Sequence, residues 1–97
     1  MTEHEALQST VTEILDLLIS HGDAYVVERL RAYRDRLEAG DPSVVQSLRS
    51  EATGSMGSLR DRYLSASNGD YITATEQEAV NARLGALVER LAEQTRP

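Results

Sequence analysis

Cysteine, phenylalanine, tryptophan and lysine are all missing from the 97 residues, and each absence narrows what the chain can be. Without cysteine there is no disulfide, no thiolate nucleophile and no Cys-ligated zinc or iron–sulfur centre. Without Phe or Trp the interior must be assembled from twelve Leu, seven Val and eleven Ala. Helix packing, and beyond it a partner chain, then has to supply much of the stability. All ten basic residues are Arg, a bias expected of a GC-rich bacterial or phage coding sequence. No apolar run approaches the roughly 18 residues of a membrane span, and the start lacks the basic-then-apolar pattern of a secretion signal. The expectation is a cytoplasmic protein of one helical domain, residues 1–97, that does not bind a membrane.

Acidic residues predominate, 16 against 10, for a net charge of −6. The excess is uneven. Residues 1–22 carry Glu3, Glu5, Glu13 and Asp16 against no Arg, and residues 65–97 hold the rest of the imbalance, while the middle of the chain is neutral. Such a chain is poorly suited to nucleic acid, where affinity rests on neutralising phosphates. A basic protein is the more natural partner, because long-range attraction speeds that encounter. The simplest role of the charge is solubility.

Apolar residues recur with helical spacing in four stretches. Leu7, Val11, Ile14, Leu15 and Leu18 form one stripe over Glu3 to Ser20. Leu17 and Ile19 widen it, so the end of this helix is expected to be buried on two sides. Gly22 stands where a left-handed C-terminal residue belongs, and Asp23 reads as the N-cap of a second helix from Ala24 to about Glu38. Val26, Leu30, Tyr33 and Leu37 give that helix its stripe, with Val27 at the edge. Arg31–Asp35 and Arg34–Glu38 are spaced as helical ion pairs, and Arg29, Arg31, Arg34 and Arg36 read together as a solvated face. Asp41-Pro42 opens a short third helix that turns Val44, Val45, Leu48 and Ala52 inward. Thr73 and Glu76 make a capping box for a fourth helix, carried by Val80, Leu84, Leu87, Val88 and Leu91 to about Ala92, with Gly85 near its outer edge. The expected fold is an all-α, compact bundle of four helices, the third short. Between the last two lie a Gly/Ser loop and the turn dipeptide Asn68-Gly69. With Arg62-Tyr63-Leu64 before it and Tyr71-Ile72-Thr73 after it, a tiny β-hairpin is expected there.

Catalytic constellations are sparse. His4 and His21 are the only imidazoles, and no His-x3-His or Glu-x-x-His spacing offers a metal-ligand pair. No metal or cofactor is expected. The carboxylates read as lying on exposed faces, outside the apolar stripes where burial would raise their pKa. Asp16, beside the first stripe, and Asp61, after the glycine loop, come nearest to an exception. The loop lacks the Lys and the spacing of a phosphate-binding loop. Gly57-Ser58-Leu59 is similar to the phosphopantetheine site of acyl carrier proteins, but the preceding Asp is absent and three helices precede the serine rather than one.

Gly54-Ser55-Met56-Gly57-Ser58-Leu59-Arg60-Asp61 resembles the signature of a family of short bacterial helical proteins of unknown function, of the type Gly-Gly-Met-Gly-Ser-[Phe/Leu]-Asn-Asp. Gly40-Asp41, Asn68-Gly69 and Asn81 with Leu84 and Leu87 fit the same pattern, so the likeness spans most of residues 14–92. Ser55 stands in place of the second Gly, and Arg60 in place of the Asn. The resemblance implies a fold and no particular activity.

Two roles are open for that loop. In one it is architectural: Gly54 and Gly57 supply positive φ, Met56 and Leu59 plug the bundle, and Asp61 bonds loop amides. In the other it displays Met56, Arg60, Asp61 and Arg62 to a partner protein. The function expected is that of a non-enzymatic, acidic interaction protein, immunity-like or regulatory. One alternative is a small-molecule-binding or minor enzymatic domain, with a pocket near His21, Tyr25 and Asp61. Another is a homodimer paired through Leu17 and Ile19.

Overall fold

A computed structural model describes residues 3–22, 24–54, 57–65, 67 and 69–97. Asp23, the expected cap, lies outside the described residues, as do Ser55, Met56, Asn68 and the side chain of Tyr25. Among the described residues the chain forms α1 (Glu3–Ser20), α2 (Ala24–Glu38), α3 (Val44–Thr53) and α4 (Ala74–Gln94), with one 3₁₀ turn at Leu59–Asp61. The helices coincide with the periodic stretches because the stripes are what they bury. Leu7, Val11, Ile14, Leu15 and Leu18 are covered on α1, and Val26, Val27, Leu30 and Leu37 on α2. α1 packs against α2 and α4, and α3 bridges α2 and α4, so the chain closes a ring around a single core. Leu59, Leu64 and Ile72 complete that core from the connecting segments. No helix of the described residues is long and apolar enough to cross a membrane.

Polar seams fix the register of the ring. Glu13 of α1 is held by Arg83 at 3.0 Å and by Arg90, whose Nε also donates to the buried Thr10 hydroxyl at 3.1 Å. α4 thus neutralises part of the acidic first helix. The entry to α3 is organised by Asp41, although the helix begins only at Val44. The Asp41 carboxylate accepts from the Ser43 hydroxyl (2.6 Å), the Ser43 N–H (2.9 Å) and Arg36 Nε (3.0 Å). These donors, the Ser43 hydroxyl foremost, lower the Asp41 pKa from 3.8 to about 2. α4 opens on the capping box: Thr73 N–H donates to Glu76 Oε1 at 2.9 Å, and Glu76 N–H to the Thr73 hydroxyl at 3.3 Å.

Two expectations are corrected. The end of α1 is not buried on both sides: Leu17 is half-buried against the core, but Ile19 is 47% exposed. Spacing reveals an apolar residue, not whether another element reaches it. The hairpin does not form either, and the described residues contain no strand. Asp70 instead closes a loop, its N–H donating to Ser65 O (3.2 Å) while its carboxylate accepts from Ser65 N–H (3.0 Å). Tyr71 pairs with the α1–α2 turn: its N–H donates to His21 O at 2.8 Å, and His21 Nδ1 lies 2.6 Å from Tyr71 O. A carbonyl only accepts, so His21 carries a proton on Nδ1. The backbone groups that would have built a two-stranded ladder are spent on a carboxylate and a histidine.

Candidate functional site

Residues 57–65 form a strap fastened at two points. Leu59 is fully buried, and its N–H donates to Glu51 Oε1 at 2.9 Å. Leu64 is also fully buried, and the Asn81 side chain of α4 both donates to Leu64 O and accepts from Leu64 N–H, each at 2.8 Å. The amide acts there as a neighbouring strand would. Asn81 is therefore an architectural clamp.

Between the fastenings, Arg60, Arg62 and Tyr63 face Leu84, Gly85 and Val88 of α4 across a groove of about 320 Å³. Its floor is apolar, with Leu59 and Ala52 beneath. Nothing lies within 4 Å of where a Cβ on Gly85 would stand, so the α4 wall is open at its middle. Arg60 is exposed at the rim and forms no ion pair among the described residues, and Glu89 stands on the α4 side. Arg62 reaches Asp70 at 3.3 Å. Tyr63 is 53% exposed, and its hydroxyl accepts from Gln77 Nε2 at 3.3 Å. Asp61 turns away from the groove: it accepts from the Gly57 N–H at 3.3 Å and lines a smaller cavity with Val26 and Ser58. Of the residues expected to meet a partner, Arg60 and Arg62 share the groove, Asp61 braces the loop, and Met56 lies outside the described residues.

Behind the strap sits a charged residue that the reading of exposed carboxylates missed. Glu51 is buried in α3, and its carboxylate is held by Arg29 Nη2 at 2.9 Å and by the Leu59 N–H. Arg29 also donates to Gly57 O at 3.0 Å, so the pair grips the loop from both sides. Arg29 crosses to α3 and Arg36 to Asp41, which corrects the solvated face expected of the α2 arginines at these two positions, while Arg31 is exposed. The Tyr33 phenol beside them is raised above its usual 10.0, first by burial and then by the charge of Glu51. Glu51 follows Val44 by seven residues and Leu48 by three, which places it on the α3 stripe; that spacing was the available signal. Asp70 is buried as well, and nothing periodic announces it.

The glycines of the motif answer to this geometry in different ways. Gly57 has the expected positive φ of +85°, but Gly54 does not: its φ is −73°, and glycine is needed there because a Cβ would stand 2.4 Å from Ser50 O. His21 and Asp61 are not brought into one pocket: His21 is turned to Tyr71 and Asp61 to Gly57. Among the described residues no three His, Asp or Glu side chains gather as metal ligands would. The groove offers apolar contact, a guanidinium and a phenol, which are means of holding a ligand. No protein-family model matches the chain, and no curated protein or solved structure is significantly similar to it.

Proposed function

We propose that the chain is a non-enzymatic, cytoplasmic interaction protein, immunity-like or regulatory, that seats a segment of a partner protein in the groove between the strap and α4. One observation carries this reading: an apolar-floored groove of about 320 Å³, left open by Gly85 and rimmed by Arg60, which forms no ion pair among the described residues. An unpaired guanidinium beside an apolar hollow favours a bulky apolar side chain flanked by a carboxylate. The net charge of −6 acts at longer range and favours a partner that is basic elsewhere on its surface.

Affinity capture from the native host tests it. The wild-type chain is expected to retain a basic protein that is lost from Gly85→Trp, which fills the groove on an exposed helix face, and from Arg60→Glu. Retention should weaken as salt rises. Equal capture by wild-type and Gly85→Trp, with both folded by circular dichroism, would overturn the assignment of the groove.

A further inference from the structure

A second surface lies on α1 and α2, away from the groove and independent of the reading above. Ile19 is 47% exposed and Tyr71 76% exposed, although the chain has only four aromatic residues and three isoleucines. They flank a hollow of about 410 Å³ whose base includes Gly22 and Val27. The Tyr71 ring lies over Gly22, where a Cβ would come within 2.6 Å of it. The outer wall is Glu28 and Arg31 of α2, both exposed and neither in an ion pair among the described residues. Ala24, Glu28, Arg31 and Asp35 share one face of α2 at helical spacing.

We propose that this surface seats a second copy of the chain, with the α2 helices antiparallel about a two-fold axis between Glu28 and Arg31. An interface of this symmetry must be complementary to itself. Here the axis sets Glu28 of each protomer against Arg31 of the other, two reciprocal pairs from one charge of each sign. It also brings each Ile19 and Tyr71 edge over the partner's hollow. Glu28 and Arg31 offset each other, and Asp35 leaves the face at −1 per protomer, so most of the net charge of −6 lies away from the contact. Glu13 of α1 is already paired with Arg83 and Arg90.

Sedimentation velocity across the micromolar range tests this. The wild-type chain is expected to sediment as a dimer. Glu28→Arg alone and Arg31→Glu alone should each be monomeric, because like charges then oppose one another across the axis. Mixing the two variants should restore a dimer, since one then presents two cations at the axis and the other two anions. A monomeric wild-type chain throughout that range would overturn the proposal. So would a wild-type dimer that both variants preserve, or variants that stay monomeric when mixed although each remains folded.

Discussion

A carboxylate with 7% of its side chain exposed persists in α3 because donors meet it from two elements: Arg29 of α2 and the Leu59 N–H. The two partners are not equivalent. Arg29 is 26% exposed and can turn to water if Glu51 is neutralised, whereas Glu51 cannot escape if Arg29 is removed. Arg29→Met is therefore expected to lower unfolding free energy by about 3 kcal/mol, the cost of stranding a buried charge. Glu51→Gln, which keeps an acceptor for Leu59, should cost about 1–2 kcal/mol. Urea denaturation of both variants checks the order, and a larger loss for Glu51→Gln would refute the asymmetry. Tyr33 reports on the same cluster. Its folded pKa is raised, so its contribution to stability is fully present below 10.0 and is lost as pH rises through the folded value. In a chain with the other three tyrosines changed to Phe, absorbance titration should place the phenol above 10.0. Adding Glu51→Gln should bring it only part of the way back, because burial is the larger cause. At Gly57, φ +85° makes Gly57→Val strained by at least about 1–2 kcal/mol; unchanged thermal stability would contradict the turn geometry.

Elements show a division between local and distant causes. The four helices were legible because stripe, cap and terminating glycine act within a few residues of one another. Thr73 and Glu76 cap α4 as their spacing implies, and Gly22 and Gly40 have φ of 75° and 82°. The strap was not legible, because what shapes it comes from elsewhere in the chain. Leu64 is paired by Asn81, 17 residues on, and Tyr71 by His21, 50 residues back, while Leu59 is paired by Glu51, eight residues back but across the end of α3, where helical spacing no longer applies. Arg60 and Arg62 were singled out from the motif alone; the α4 wall that completes their groove was not. Two predictions belong to this scale. The Asp41 pKa is depressed, so its stabilisation of the α2–α3 turn is present above 3.8 and is lost as pH falls towards about 2. Asp41→Asn should remove that limb of the acid unfolding profile, and an identical profile in the variant would refute the role. Gly85→Ala fills open space on an exposed helix position and should stabilise the chain by about 0.5–1 kcal/mol. A lower melting temperature would mean that the groove closes over that position.

For the whole molecule, the small core and the acidic surface have separate consequences. With no Phe or Trp, buried Leu and Val carry the fold, and large apolar groups remain outside it at Ile19, Tyr63 and Tyr71. Tyr63 sits at the strap groove, and Ile19 and Tyr71 sit at the α1–α2 hollow, so among the described residues the large exposed apolar groups gather at two places rather than scattering. The first of these, the strap groove, is where a partner protein is proposed to dock. Replacing Tyr63 with a photo-crosslinking phenylalanine analogue in the native host tests that contact directly, with the same analogue at Ala79, exposed on another face of α4, as the comparison. Illumination is expected to give one discrete heavier adduct from position 63 and none from position 79. No adduct from 63, or the same adduct from both, would contradict docking in the groove.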